Sequence, residues 1–99
     1  MIIYEVNIQV STEIYQDYVQ WLDIHILEML KFDGFLSNKK YIDKNKSNDK
    51  YMCISVHYYL KSNEYLQNYL DNNAKKMRTI SDKRFLNNVK INRRVIHEI

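Results

Sequence analysis

Hydrophobic positions along this chain switch between a two-residue and a helical period, and the order of the switches implies a fold. Met1 to Val10 alternates: Tyr4, Val6, Ile8 and Val10 point one way, and Ile3, Glu5, Asn7 and Gln9 the other. Thr12 to Lys31 takes helical spacing, with Ile14, Tyr18, Leu22, His25, Ile26 and Met29 on one stripe. Phe35 to Ile42 and Tyr51 to Leu60 read as strands; in the second, Met52, Ile54, Val56 and Tyr58 face away from Tyr51, Cys53, Ser55, His57 and Tyr59. Asn63 to Ser81 carries the helical stripe Tyr65, Leu66, Tyr69, Leu70, Ala74 and Met77, and Val89 to Ile99 closes the chain as a strand of mixed character. Strand, helix, strand, strand, helix, strand predicts a single ferredoxin-like α+β domain over residues 1–99, a βαββαβ split fold. Its four-stranded antiparallel sheet has the first and third strands central and two helices on one face.

The punctuation between these stretches agrees. Ser11 or Thr12, and Ser62, stand where N-caps belong. Gly34 is the only glycine and follows the first helix, where a positive φ is expected. Asp43 to Lys50 contains no apolar residue and predicts a solvated hairpin loop.

The sheet face turned from the helices would hold Asn7, Gln9, Cys53, Ser55, His57 and Tyr59, a semi-polar surface too large to leave idle. Such a face binds a ligand or nucleic acid, or it stacks on a second copy and closes a barrel. The nine tyrosines favour association, since Tyr is amphipathic and loses little entropy on ordering. The expected partner is therefore a second copy of the chain, joined through the sheet faces.

Composition narrows the class. A hydrophobic fraction of 45% argues against disorder, and no apolar run approaches the roughly 20 residues that span a bilayer. The opening MIIYEVNIQV has no basic region or cleavage site, so no secretory signal is expected. A single cysteine, Cys53, excludes an intrachain disulfide and a cysteine-based zinc site, and a cytoplasmic location is the default. The net charge of +3 accompanies an abundance of Asn, Lys, Ile and Tyr, the residues that AT-rich coding over-supplies. The charge is therefore a weak argument for an anionic partner.

MIIYEV, WLDIHILEML, GF, YMCISVHYYL and RRVIHEI, in that order and spacing, resemble a family of short uncharacterised bacterial proteins, a domain of unknown function within the dimeric α+β barrel superfamily. Nearly the whole chain is covered. Trp21 and His25 match the family's helical Trp-x-x-x-His and Gly34 its helix-ending glycine; Tyr65, Tyr69 and Arg78 fit the second-helix pattern, and Arg93 and Arg94 the terminal basic pair. Members tend to have a proline shortly after the histidine, where this chain has Leu27. The resemblance implies a dimeric barrel and no settled chemistry. The wider superfamily includes antibiotic-biosynthesis, quinone-type and haem-degrading monooxygenases. Haem-degrading members use a first-strand asparagine, which Asn7 matches, with a Trp and a His on the second helix, which this chain lacks there. No cofactor is expected.

Two constellations remain. Trp21 and His25 lie one helical turn apart, so an imidazole that titrates near neutrality has an aromatic wall beside it. That pair suits a pocket base, or else a packed interior histidine donating to a carbonyl. His57, Tyr59, Cys53 and Asn7 share a sheet face, but no glycine loop supplies an oxyanion hole for Cys53, which reads as an inert thiol. His25, His57 and His97 have no ligand spacing, so no metal site is expected. The eight basic residues between Lys75 and Arg94, against Asp82, suit phosphate or simply solvate a helix end and an edge strand. RNA-binding domains share this element order. Their orientation would bury Glu5 and expose the Tyr4, Val6, Ile8, Val10 row, and their third-strand glycine and aromatic signature is replaced here by ISVHYY. Nucleic acid is therefore not the expected partner, and nothing points to a membrane.

The reading is an uncharacterised homodimeric α+β barrel, a candidate holder of a small apolar or aromatic ligand between helix and sheet. The candidate pocket residues are Asn7, Trp21, His25, His57 and Tyr69. The alternative is a cofactor-independent monooxygenase- or isomerase-like enzyme acting on an aromatic small molecule, with His25 as base. It requires an enclosed pocket into which His25 and a polar strand residue both project.

Overall fold

The computed structural model describes residues 1–99. Its elements are β1 (Ile2–Ser11), a 3-10 turn (Thr12–Ile14), α1 (Tyr15–Met29), β2 (Phe35–Ile42), β3 (Tyr51–Leu60), α2 (Asn63–Asn72), α3 (Ala74–Phe85) and β4 (Val89–His97). The strands form one antiparallel sheet in the order β2-β3-β1-β4, so β1 and β3 are central, as the split βαβ pattern requires. The helices cover the face bearing Tyr4, Ile8 and Val10 of β1 and Ile54, Val56, Tyr58 and Leu60 of β3. These side chains are buried with Tyr18, Leu22, Ile26 and Met29 of α1.

The second helix departs from expectation. A single helix from Asn63 to Ser81 is predicted; two helices form, broken at Asn73, and the second runs on to Phe85. The buried positions explain the break. Leu66 and Tyr69 are buried on α2, and the next buried residue is Ala74. On an unbroken helix a five-residue step would carry the stripe about 140° around the axis, away from the sheet. The interruption at Asn73, a weak helix former, turns the following residues back. The Asn73 amide still donates to Tyr69 O at 2.9 Å, and its carbonyl accepts from Met77 N at 3.1 Å, so little backbone bonding is lost. Lys75, Lys76 and Arg78 therefore lie in the opening turns of α3 rather than at a helix end. The residues beside the negative end of the dipole are Lys83 and Arg84.

The expected caps are present in position only. Neither Ser11 nor Ser62 makes a side-chain cap bond, and the 3-10 turn precedes α1, whose N-cap is Ile14. Gly34 has φ +83, and a Cβ there would meet the Tyr65 ring at 2.2 Å, so both backbone and space require glycine. Asn87 also has positive φ, 75, at the third position of a type II turn closed by Asn88 N to Phe85 O at 3.0 Å. No helix is long and apolar enough to cross a membrane.

Candidate functional site

Alternation along β1 and β4 sends neighbouring residues to opposite sides of the sheet, and two different sites result. The register sets Glu5 between His57 and Arg94, and Asn7 between Ser55 and Asn92, all on the face without helices. Glu5 is only 4% exposed there, because its neighbours close over it. Arg94 grips its carboxylate with Nε and with Nη2, the latter at 3.2 Å. His57 Nε2 lies 3.0 Å from Glu5 Oε1, and Asn7 Nδ2 donates to Oε2 at 2.9 Å. These donors, Arg94 foremost, hold the Glu5 carboxyl below the usual carboxylate range.

The bonds also settle which His57 nitrogen carries a proton. Ser55 Oγ donates to Asn7 Oδ1 at 2.8 Å, which uses its only hydrogen. Both groups facing His57 Nε2, the Glu5 carboxylate and Ser55 Oγ at 3.1 Å, then act as acceptors, so Nε2 is the protonated nitrogen. Tyr41 leans on the other side of the imidazole, its ring centre 5.1 Å away. The cluster is satisfied from within.

The helix side differs. Along α1, Tyr18, Trp21 and His25 form a ladder of rings: Tyr18 and Trp21 stack at 5.6 Å, and Trp21 and His25 at 4.6 Å with 14° between planes. Phe85 of α3 sets its edge against both Tyr18 and Trp21. His25 is held by this stack, and burial pushes its pKa below the ordinary 6.5, helped by the positive charge of Arg93 and opposed by Glu28. The imidazole is neutral at pH 7.

Beneath the ladder lies a cavity of about 40 Å³ between helices and sheet. Tyr4, Tyr18, Tyr58, Tyr69, Trp21 and His25 form its aromatic wall, and Arg78 and Arg93 enter it from α3 and β4. Burial pushes the Tyr69 phenol up to about 12, and those of Tyr18 and Tyr58 higher, so all three are protonated donors at neutral pH. Arg78 Nη2 donates to Tyr4 Oη at 3.0 Å, while its Nε is buried with no partner. An outer vestibule of about 190 Å³, walled by Phe85, Leu86, Val89 and Asp82, shares Arg78, Ser81, Ile91 and Arg93 with the inner chamber.

Of the five sequence candidates, Trp21, His25 and Tyr69 come together on this cavity, while Asn7 and His57 belong to the open-face cluster. Glu5, Arg78 and Arg93 stand in the sequence patterns above but not among the five pocket candidates. The legible signals were a lone acid at the centre of the best-patterned strand and an arginine on the inward row of β4. Cys53 is half-buried, its Sγ donating to Lys46 O at 3.6 Å. No three His, Cys, Asp or Glu side chains come together where they could hold a metal ion.

The family described as "Domain of unknown function (DUF4286)" matches residues 1–99. The chain belongs to that family. No functionally curated protein matches it. Among solved structures it is similar to SnoaB, a cofactor-independent oxygenase from Streptomyces nogalater, with TM-score 0.66 and 10% identity over 99% of this chain and 93% of that one. An antibiotic biosynthesis monooxygenase gives TM-score 0.67 at 5% identity, covering 100% of this chain and 99% of the other. The de novo designed protein Foldit4 gives 0.61 at 10% identity, covering 99% and 98%. Identities this low establish the shared ferredoxin-like fold and no more, and a designed chain with the same fold shows how little chemistry the fold itself carries.

Proposed function

We propose that this DUF4286 protein is a homodimeric α+β barrel whose subunits each bind a small aromatic molecule between helices and sheet. The observation that carries the reading is the Tyr18, Trp21, His25 ladder over a cavity joined to an outer vestibule: an apolar, aromatic recess with a few convergent polar groups is the usual form of a small-molecule site. The inner chamber exceeds the roughly 10–15 Å³ a single water needs and falls well below the roughly 300 Å³ of a drug-sized pocket, so a ring would use the vestibule as well. Asn7 and His57 then serve the dimer seam, and Trp21, His25 and Tyr69 serve the ligand. A reducing, cytoplasmic setting suits the free thiol of Cys53.

Trp21 is the only tryptophan, so its emission reports on this recess alone. A panel of phenols, indoles, naphthols and quinones is expected to include compounds that change Trp21 emission and raise the melting temperature, as ligands of the folded state do. A panel that moves neither would overturn the binding reading. Sedimentation of the untagged protein at micromolar concentration is expected to give the mass of a dimer, and a monomer there would overturn the barrel.

A second reading, a cofactor-independent oxygenase or isomerase, is supported by the neutral state of His25. A neutral imidazole beside the recess has a lone pair to take a proton from a bound phenol, with dioxygen as oxidant or with proton return to another carbon. His25→Gln would then abolish turnover of a bound phenol while leaving its affinity intact.

A further inference from the structure

The inner chamber is basic, and no acid lines it. The protein's side-chain ion pairs are Lys40 with Asp23 and Arg94 with Glu5, whose carboxylate His57 Nε2 also contacts. Neither Arg78 nor Arg93 belongs to one. Guanidinium nitrogens are donors only, so each needs an acceptor. Arg78 has one, the Tyr4 phenol at 3.0 Å, and its Nε is the protein's single buried side-chain nitrogen or oxygen without any partner. Arg93 lies near enough to Tyr18, His25 and Tyr69 for its charge to lower the pKa of each. Two cations and a row of phenol donors thus converge on a space of about 40 Å³. That space admits a carboxylate and excludes a ring. The vestibule next to it, about 190 Å³, exceeds the roughly 150 Å³ known to hold benzene, and Phe85, Leu86, Val89 and Ile91 make its apolar side.

We infer that the ligand is a monocyclic aromatic carboxylate, its carboxylate held between Arg78 and Arg93 and its ring in the vestibule. This deepens the small-molecule reading above and rests on it. The two chambers share Arg78, Ser81, Ile91 and Arg93 in their linings, which sets both guanidinium groups between the carboxylate space and the ring space. Asp82, exposed at the vestibule, fixes the direction: it repels the carboxylate from the vestibule, and the arginines attract it inward. A fork of guanidinium donors facing a planar carboxylate is the strongest neutral-pH recognition available to this set of side chains.

Benzoate and benzamide separate charge from shape. Titrated against Trp21 emission, benzoate is expected to bind wild-type protein about tenfold or more tightly than benzamide, as a charge-assisted bond requires. Arg93→Gln, which loses no ion-pair partner in the protein, should erase that preference while circular dichroism stays unchanged. Arg78→Gln should do the same where it remains folded, and Leu86→Trp should weaken both probes by filling the vestibule. Equal affinity for the two probes, or a preference that survives Arg93→Gln, overturns the carboxylate assignment and leaves the small-molecule reading standing. Silence from both probes while other aromatics respond also overturns the assignment, and silence across the whole panel takes down both.

Discussion

Arg93 and Arg94 are neighbours in sequence and opposites in situation. Arg94 lies on the open face of the sheet, tied to a carboxylate that is almost wholly covered. Arg93 lies on the face beneath the helices, half-buried, among phenols and an imidazole, and belongs to no ion pair. The open face has paired Arg94 with Glu5; what it lacks is a cover for the surrounding sheet. The other is covered and has left Arg78 and Arg93 without an ion-pair partner. The contrast teaches where to look for a ligand: a guanidinium bound to its own carboxylate is structure, and one held in a recess without a carboxylate is an invitation to an anion.

The comparison breaks first in stability. Leu60 is fully buried against the helices, and Leu60→Ala is expected to cost about 2–5 kcal/mol in urea unfolding, through lost burial and the cavity left behind. Tyr59→Ala, one residue away on the open face, should cost under about 1 kcal/mol in dilute protein. That cost should grow with protein concentration if the open face joins two copies, because only then is Tyr59 buried. A Tyr59→Ala cost as large as that of Leu60→Ala in dilute monomer would deny the two faces their different roles.

The adjacent arginines give a smaller effect of opposite sign. Arg94→Gln leaves the covered Glu5 carboxylate without its main donor and should lower the melting temperature. Arg93→Gln removes a charge with no ion-pair partner and should leave that temperature unchanged or raise it. Scanning calorimetry of the two variants side by side decides the matter, and a larger drop for Arg93→Gln would mean that its charge is satisfied within the protein.

Acid should expose the smallest difference, as two separate windows. His25 has a folded pKa below its ordinary 6.5, so the unfolded chain binds the proton more readily. Its contribution is complete above about 6.5 and drains away as the pH falls from there toward the lowered value. Glu5 has a folded pKa below 4.5, chiefly through Arg94, so its contribution is complete above about 4.5 and is lost as the pH falls through the folded value. The melting temperature should therefore decline in two steps as pH is lowered. His25→Gln should remove the upper step and Glu5→Gln the lower.

The alternation of β1 and β3 and the stripe on α1 were legible from the residues alone, and with them the strand order; which sheet face the helices cover was not, because a second copy could bury the other. Short-range periodicity dictates which side chains must leave water, and in an antiparallel sheet that choice has few solutions. Gly34 was legible for the same kind of local reason: a chain leaving a helix at positive φ needs a residue without a Cβ. The break at Asn73 was not, because Leu70, Ala74 and Met77 fit a continuous stripe on paper, and only contact with the sheet showed that Tyr69 and Ala74 are the buried pair. Nor could periodicity foresee that Glu5 would be covered by Arg94, 89 positions away. It could not show that Arg78 and Arg93, scattered in a basic run, would meet in one recess beside His25. Such charges acquire their surroundings from strands and helices distant in sequence, and a pairing of that kind exists only once the chain has closed on itself.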